Sequence, residues 1–314
     1  MPTFNSFLQV VQHCDKYPYG SLEDFELGIP IPIVLYDRVI GHVLPDLFPR
    51  LKSYNDTCSP APFVISNTRI EFSSWVDSFE KRTQVIKTMM DAWRPHVKAL
   101  AGWRNELYPV YGDPSRSDNI AFVMERAATP LFGISTFGVH VNAYTRDQEH
   151  GLRMWVARRA LTKQTWPGLL DNCVAGGISY EYSTKATVVK ECDEEASIPT
   201  SIAENATNVG MISYYTYTEY GLQPETQYIF DLCLPNDFTP TPKDGEVECF
   251  YLWDMNQVKK TILNGEWKPN CALVAIDFMI RHGIITADNE PNFIDISTRL
   301  HRRLEFPNPQ KTYC

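Results

Sequence analysis

Three glutamates, Glu191, Glu194 and Glu195, stand at i, i+3 and i+4 in a stretch of helical pattern, which puts their carboxylates side by side on one face. Like charges so spaced destabilise a solvated helix by only roughly 0.2–0.5 kcal/mol, so an ordinary wet surface is one reading. Chemistry is the other. Oxygen ligands on one rigid face can hold a hard divalent cation such as Mg2+ and leave coordination positions for water and a substrate phosphate. Lys190 beside them orients a carboxylate or makes a plain surface ion pair. Glu246, in the run Asp244-Gly-Glu, is a further metal ligand or base, or a member of an everyday turn.

The elements around these residues decide whether they can work together. Ser183 caps a helix running to about Ala196, with Val188, Val189, Cys192 and Ala196 on its apolar side. The glutamate side then faces water, and neutralising one member should move stability by less than about 0.5 kcal/mol. Just upstream, Val174-Ala-Gly-Gly-Ile leads a strand into the helix through Gly176 and Gly177, whose missing side chains let a pyrophosphate approach the backbone. Arg158 and Arg159 end the strand-like Met154-Trp-Val-Ala-Arg-Arg, and Lys163 follows. These three cations are candidates for holding the terminal phosphates, the arginines through two-pronged contacts. His140 and His282 lack a second ligand at metal-like spacing and read as structural. Trp155, Trp166, Tyr214, Tyr215, Tyr217 and Trp253 offer rings for stacking on a planar group, although most such rings fill cores.

Further out, the spacing predicts an amphipathic helix over Phe4 to Cys14, strands at Ile33 to Tyr36, Val39 to Val43 and Thr68 to Phe72, and a helix over Trp75 to Trp93. After the loop-like residues 111–118 the texture turns to strands at Gly138 to Tyr144, a hairpin of Ile212 to Thr218 with Thr226 to Leu234, and Val247 to Trp253. Cys271 to His282 reads as a buried helix closed by Gly283. The chain is therefore α+β, with an N-terminal accessory α+β domain over 1–130, a second domain over 131–300 and a tail over 301–314.

The totals narrow the function classes. With 314 residues, 44% apolar and 21% charged, the chain can bury two cores. A net charge of −9 argues against nucleic acid, which selects a basic face. The early apolar stretch, Leu27 to Leu35, is interrupted by Pro30 and Pro32, and no run reaches membrane-spanning length, so a cytoplasmic protein is expected. Eight scattered cysteines without close pairs fit a reducing compartment.

From Gly176 to Ile198 the sequence resembles the Nudix box: Gly, five residues, Glu, seven residues, then Arg-Glu-apolar-any-Glu-Glu-any-Gly-apolar. Lys190-Glu191-Cys192-Asp193-Glu194-Glu195 matches the core with Lys for Arg, Ser197 replaces the late Gly, and Ile198 keeps the last apolar position. Counted from Gly177 the spacing is one residue short, and the early Glu is missing, with Glu181 the nearest carboxylate. The flanking text Phe137-Gly-Val-His, Trp166-Pro-Gly-Leu-Leu-Asp-Asn and Lys190-Glu-Cys-Asp-Glu-Glu-Ala is similar to the eukaryotic Nudix proteins related to the Nudix portion of thiamin pyrophosphokinase fusions. The resemblance covers residues 122 to 293 at least, and the N-terminal half also looks like the extra domain of such proteins. It implies an α/β/α sandwich with a mixed β-sheet after that domain.

The resemblance further implies that Glu191, Glu194 and Glu195 bind Mg2+ or Mn2+ and catalyse hydrolysis of a diphosphate. Within this branch the substrate would be thiamin diphosphate in oxidised or otherwise damaged forms, cut to the monophosphate and phosphate. No following kinase domain is visible, so pyrophosphokinase activity is not expected. Two rivals stand beside this reading: a binding protein with a decayed box, and a prenyl diphosphate isomerase, which would need a catalytic cysteine and a histidine-rich metal site that the sequence does not assemble. Another nucleoside-diphosphate-type substrate is the alternative within the hydrolases.

Overall fold

Short local signals build the N-terminal domain. In the computed structural model, which describes residues 2–310, α1 (Phe7–Cys14) starts where the Ser6 hydroxyl accepts from the Gln9 amide. β1 (Ile31–Leu35) and β2 (Arg38–Val43) pair antiparallel across Tyr36 and Asp37, both with positive φ, as a two-residue hairpin requires. After α2 (Phe48–Thr57), β3 (Phe63–Ile65) and β4 (Ile70–Phe72) complete a four-stranded sheet ordered β2-β1-β4-β3, with β1 and β4 parallel.

α3 (Phe79–Trp93) is capped by Ser78, so Trp75 and Val76 precede the helix that periodicity assigned them to. A hairpin that the sequence did not announce follows: β5 (Leu107–Tyr111) pairs with β6 (Ile120–Glu125). Arg82 of α3 is wholly buried, donating from Nε to the Ala121 carbonyl at 2.8 Å and pairing with Asp113. A lone buried guanidinium would be costly, so this pairing ties α3 to the hairpin. A 3-10 turn, Arg126–Phe132, leads out of β6.

The second domain is a seven-stranded mixed sheet, as expected. β7 (Thr136–Asp147), β8 (Gly151–Arg159), β9 (Leu170–Asn172) and β10 (Val174–Gly177) precede α4 (Thr184–Ala196) and the short α5 (Thr200–Ala203). Next come the hairpin β11 (Thr207–Thr218) and β12 (Gly221–Cys233), then β13 (Val247–Asp254). The order is β11-β12-β7-β8-β13, with β10 on β7 and β9 on β8. Only β12 and β7 run parallel.

Alternation along β7 and β8 feeds a layer on each face. Val139, Val141 and Trp155 pack with Val188, Cys192 and Ala196 of α4. Met154 and Val156 pack with α6 (Met255–Leu263) and α7 (Pro269–Arg281), while α8 (Phe293–Arg299) adds Ile296 to the same core. α1 belongs to that layer: Phe7, Val10, Val11 and Cys14 are buried there, so the first helix shares its core with the second domain. Among the described residues no helix is long and apolar enough to cross a membrane.

Candidate active site

α4 carries the carboxylates at three depths. Its N-cap is Ser183, accepting from the Ala186 amide, and Ser197 closes it in the left-handed conformation where glycine is the usual choice. Glu194 is half-buried, Glu191 is mostly covered and Glu195 is buried. The sequence had placed Glu195 on a water-facing side. Instead the helix leans onto β10, and the Ala175 amide donates to Glu195 Oε2 at 2.9 Å.

Burial, then the charges of Asp171 and Glu191, push the Glu195 carboxyl well above the ordinary range. Burial also raises Glu191, against the pull of Lys190. Lys190 Nζ donates to Glu191 Oε1 at 3.1 Å and to Glu194 Oε2 at 2.6 Å. Buried carboxylates with too little compensating charge, all offering oxygen, are a donor set suited to a hard divalent cation.

The cations expected near them divide by strand alternation. Arg158 turns to the opposite sheet face, donating to the Tyr251 hydroxyl at 3.1 Å and the Gly168 carbonyl at 2.9 Å, and it does not line the carboxylate cleft. Arg159 does line it, but its guanidinium is filled by the Trp166 and Thr165 carbonyls and by Asp171 at 2.7 Å. Lys163 pairs with Glu246. Burial opposes ionisation of Glu246, but Lys163 prevails and holds it below the ordinary carboxylate range.

This cleft, about 440 Å3, shares Gly176 and Gly177 in its lining with a second of about 630 Å3. Phe137, Trp166, Tyr214 and Tyr217 line the larger cleft together with Glu225 and Gln227. Glu225 Oε2 accepts from the Tyr214 hydroxyl at 2.5 Å and from Gln227 Nε2 at 2.8 Å, while Oε1 makes no hydrogen bond among the described residues. The other candidate rings lie elsewhere: Trp155 is in the core, Tyr215 stacks on Tyr17 at 3.9 Å, and Trp253 stacks on Tyr251 at 4.8 Å.

The Nudix domain model matches residues 136–271, and that of a domain of unknown function, DUF4743, matches residues 6–136. The chain is 35% identical to Nudix hydrolase 24, chloroplastic, of Arabidopsis thaliana, over 94% of this chain and 77% of that one. Nudix hydrolase 20, chloroplastic, of the same plant is also 35% identical, over 95% and 78%. The chain belongs to the Nudix hydrolase family. Uncharacterized protein YJR142W of Saccharomyces cerevisiae is 35% identical over 96% of this chain and 92% of its own length.

Within this Nudix hydrolase the geometry revises the reading of the box. A Cβ on Gly176 would lie 2.5 Å from Glu191 Cγ and Cδ, so Gly176 is the glycine on which the first core glutamate rests. Counted from Gly176, the distance to Glu191 is that of the general box, and Tyr182 stands at the early glutamate position. Gly177 instead makes room for the Tyr108 hydroxyl of the N-terminal domain.

His140, read as structural, meets Asp171 and Cys271 with one donor atom of each within 4.8 Å of the others. Asp171 is already neutralised. Burial opposes its ionisation, yet Lys268 and Arg159 hold it at about 2. The Cys271 thiol donates to Asp171 Oδ1 at 2.7 Å, and His140 Nδ1 bonds Asn172 Oδ1 at 2.7 Å. The trio forms a satisfied network beside the large cleft, in which Lys268 and Arg159 would repel an added cation. Sequence reasoning also missed Arg104, Arg126 and Lys268, which line both clefts. None sits in a local pattern that sets it apart from a surface cation.

Proposed function

We propose that this Nudix hydrolase cuts a diphosphate whose planar heterocycle lies in the larger cleft, and that thiamin diphosphates, including oxidised and oxo forms, are the substrate class. The observation that carries this reading is that the two clefts share Gly176 and Gly177 in their linings, with carboxylates in one and rings with Glu225 and Gln227 in the other. An unpaired carboxylate oxygen beside a glutamine amide suits a ring with polar edge atoms. The Nudix resemblance supplies the diphosphate.

In this reading Glu191, Glu194 and Glu195, with Glu246 at the rim, hold Mg2+ or Mn2+. The ion, when bound, withdraws charge from the phosphoryl oxygens and offsets repulsion among carboxylates and phosphates. Lys190 orients Glu191 and Glu194. Arg159 and Lys163 act by positioning, because their donors are already engaged with the chain. One carboxylate accepts a proton from water as its oxygen attacks the terminal phosphorus. The bridging P–O bond breaks, and monophosphate and phosphate leave. The cytoplasm is the proposed compartment, supported by seven free cysteines among the described residues.

Steady-state kinetics with Mg2+ on thiamin diphosphate, oxythiamin diphosphate and ADP-ribose tests the assignment. A higher kcat/KM for both thiamin compounds than for ADP-ribose is the expected result. Preference for ADP-ribose would overturn the thiamin assignment, and equal efficiency on all three would mark a generic pyrophosphatase.

A further inference from the structure

We propose that the N-terminal domain supplies the diphosphate clamp of the active site, with Arg104 and Arg126 gripping the phosphates and the Tyr108 hydroxyl donating to them. This rests on the diphosphate-hydrolase reading above and adds the residues that bind the anion.

A diphosphate on the lining that the clefts share needs free cationic donors there, and of the Nudix domain's cations Lys268 lines both clefts but already balances Asp171. Arg159, Lys163 and Lys190 are engaged by carbonyls and carboxylates, and Arg158 faces away. Arg104 and Arg126 line both clefts. Among the described residues the Arg104 guanidinium makes no hydrogen bond or ion pair. Among the described residues Arg126 spends only Nη1, on Glu106 Oε2 at 3.0 Å, and leaves its other donors open. An arginine with open donors is the group that meets a phosphate in two-pronged fashion.

The local structure holds the two together. Glu125 accepts from the Arg104 amide at 2.9 Å and from the Ala127 amide at 3.4 Å, and the Arg126 amide donates to the Glu106 carbonyl at 2.9 Å. Tyr108 lies between them in sequence, with the Arg126 guanidinium 5.4 Å from its ring centroid. Its hydroxyl is buried, has no hydrogen-bond partner among the described residues, and sits against Gly177, which lines both clefts. An unpaired buried hydroxyl costs free energy that a ligand oxygen would recover. Burial raises Tyr108 to about 12 despite Arg126, so it is a donor at neutral pH.

The test is calorimetric binding of methylenediphosphonate, a non-hydrolysable diphosphate, to full-length wild type, Arg104→Gln, Arg126→Gln and Tyr108→Phe. Lys87→Gln, which alters an exposed ion pair on α3, is the control. Each arginine variant should weaken binding by about tenfold or more and raise KM for every diphosphate alike, with Tyr108→Phe weaker in effect and the control unchanged. Arg104 is the safer probe of folding, because its guanidinium makes no hydrogen bond or ion pair among the described residues. Wild-type affinity in folded Arg104→Gln and Arg126→Gln, with hydrolysis intact, overturns the clamp alone. Wild type that neither binds the diphosphonate nor hydrolyses any diphosphate overturns the clamp together with the proposed function.

Discussion

The two clefts meet at a pair of glycines but are assembled in opposite ways. Both clefts are lined from distant parts of the chain, but the carboxylate cleft takes its three clustered glutamates from the single helix α4, whereas the ring-lined cleft takes its rings and polar groups from several strands and loops. Bond-breaking groups must hold fixed mutual distances, and one helix face provides that locally. Selecting a substrate needs a shaped enclosure, which several elements must close together. Substitutions in the first cleft should therefore strike turnover, and those in the second should alter choice of substrate.

The largest expected effect is in the first cleft. Glu195→Gln and Glu191→Gln should each lower kcat by ~10²–10³-fold, equivalent to ~3–4 kcal/mol of transition-state stabilisation. Stability should hold, because a glutamine carbonyl can still accept from Ala175 and a buried carboxyl already disfavours its charge. Thermal melts followed by circular dichroism check the fold, and normal turnover in both variants would erase the distinction between the clefts.

A smaller effect is expected in the second cleft. Glu225→Gln replaces a pure acceptor with a group that can also donate, next to the ring edge. The ratio of kcat/KM for oxythiamin diphosphate to that for thiamin diphosphate should rise by about tenfold, since one mispaired buried group costs ~1–3 kcal/mol. An unchanged ratio with a uniformly lower kcat would place Glu225 with the catalytic groups instead.

The smallest effect ignores the clefts and compares the domains. His42 in the N-terminal domain and His140 in the second are both lowered from 6.5 to about 4, chiefly by burial. Between those values the unfolded chain binds more protons, so stability is lost as pH falls from about 6.5 toward 4, by at most ~1.4 kcal/mol per pH unit for each histidine. His42 Nδ1 has no hydrogen-bond partner among the described residues, so His42→Asn should flatten the slope of melting temperature against pH without a large change at pH 7. A slope unaffected by that change would show His42 to be charged in the folded protein.

What the sequence made legible follows the same division. The α4 cap, its length and its glutamates lay in one continuous segment, where periodicity and capping act over a few residues. Glu195 was misjudged because its burial depends on how α4 leans on β10, a packing fact outside the helix. Arg158 and Arg159 read alike as neighbours, yet strand alternation sends them to opposite faces, and only hydrogen bonds to Trp166, Thr165 and Asp171 reveal that Arg159 is already engaged. Arg104 and Tyr108 carried no signal, because they sit far in sequence from the box and reach it only through the β5–β6 hairpin.

The packing of α1 bears on how a ligand can enter. After α1 the chain passes along the second domain before entering the N-terminal sheet, and Arg302 fastens this passage by donating to Asp15 at 3.0 Å and to the Tyr17 and Pro18 carbonyls at 2.6 and 2.7 Å. Asn119 Nδ2 in turn donates to the Asn308 carbonyl at 3.1 Å. The two domains are thus laced together on both sides of the covalent link near residue 136, like a box with a hinge and a latch. Swinging the walls apart would mean unlacing these half-buried polar contacts, so substrate and product should pass through the standing mouth of the cleft, and the two domains should melt as one unit.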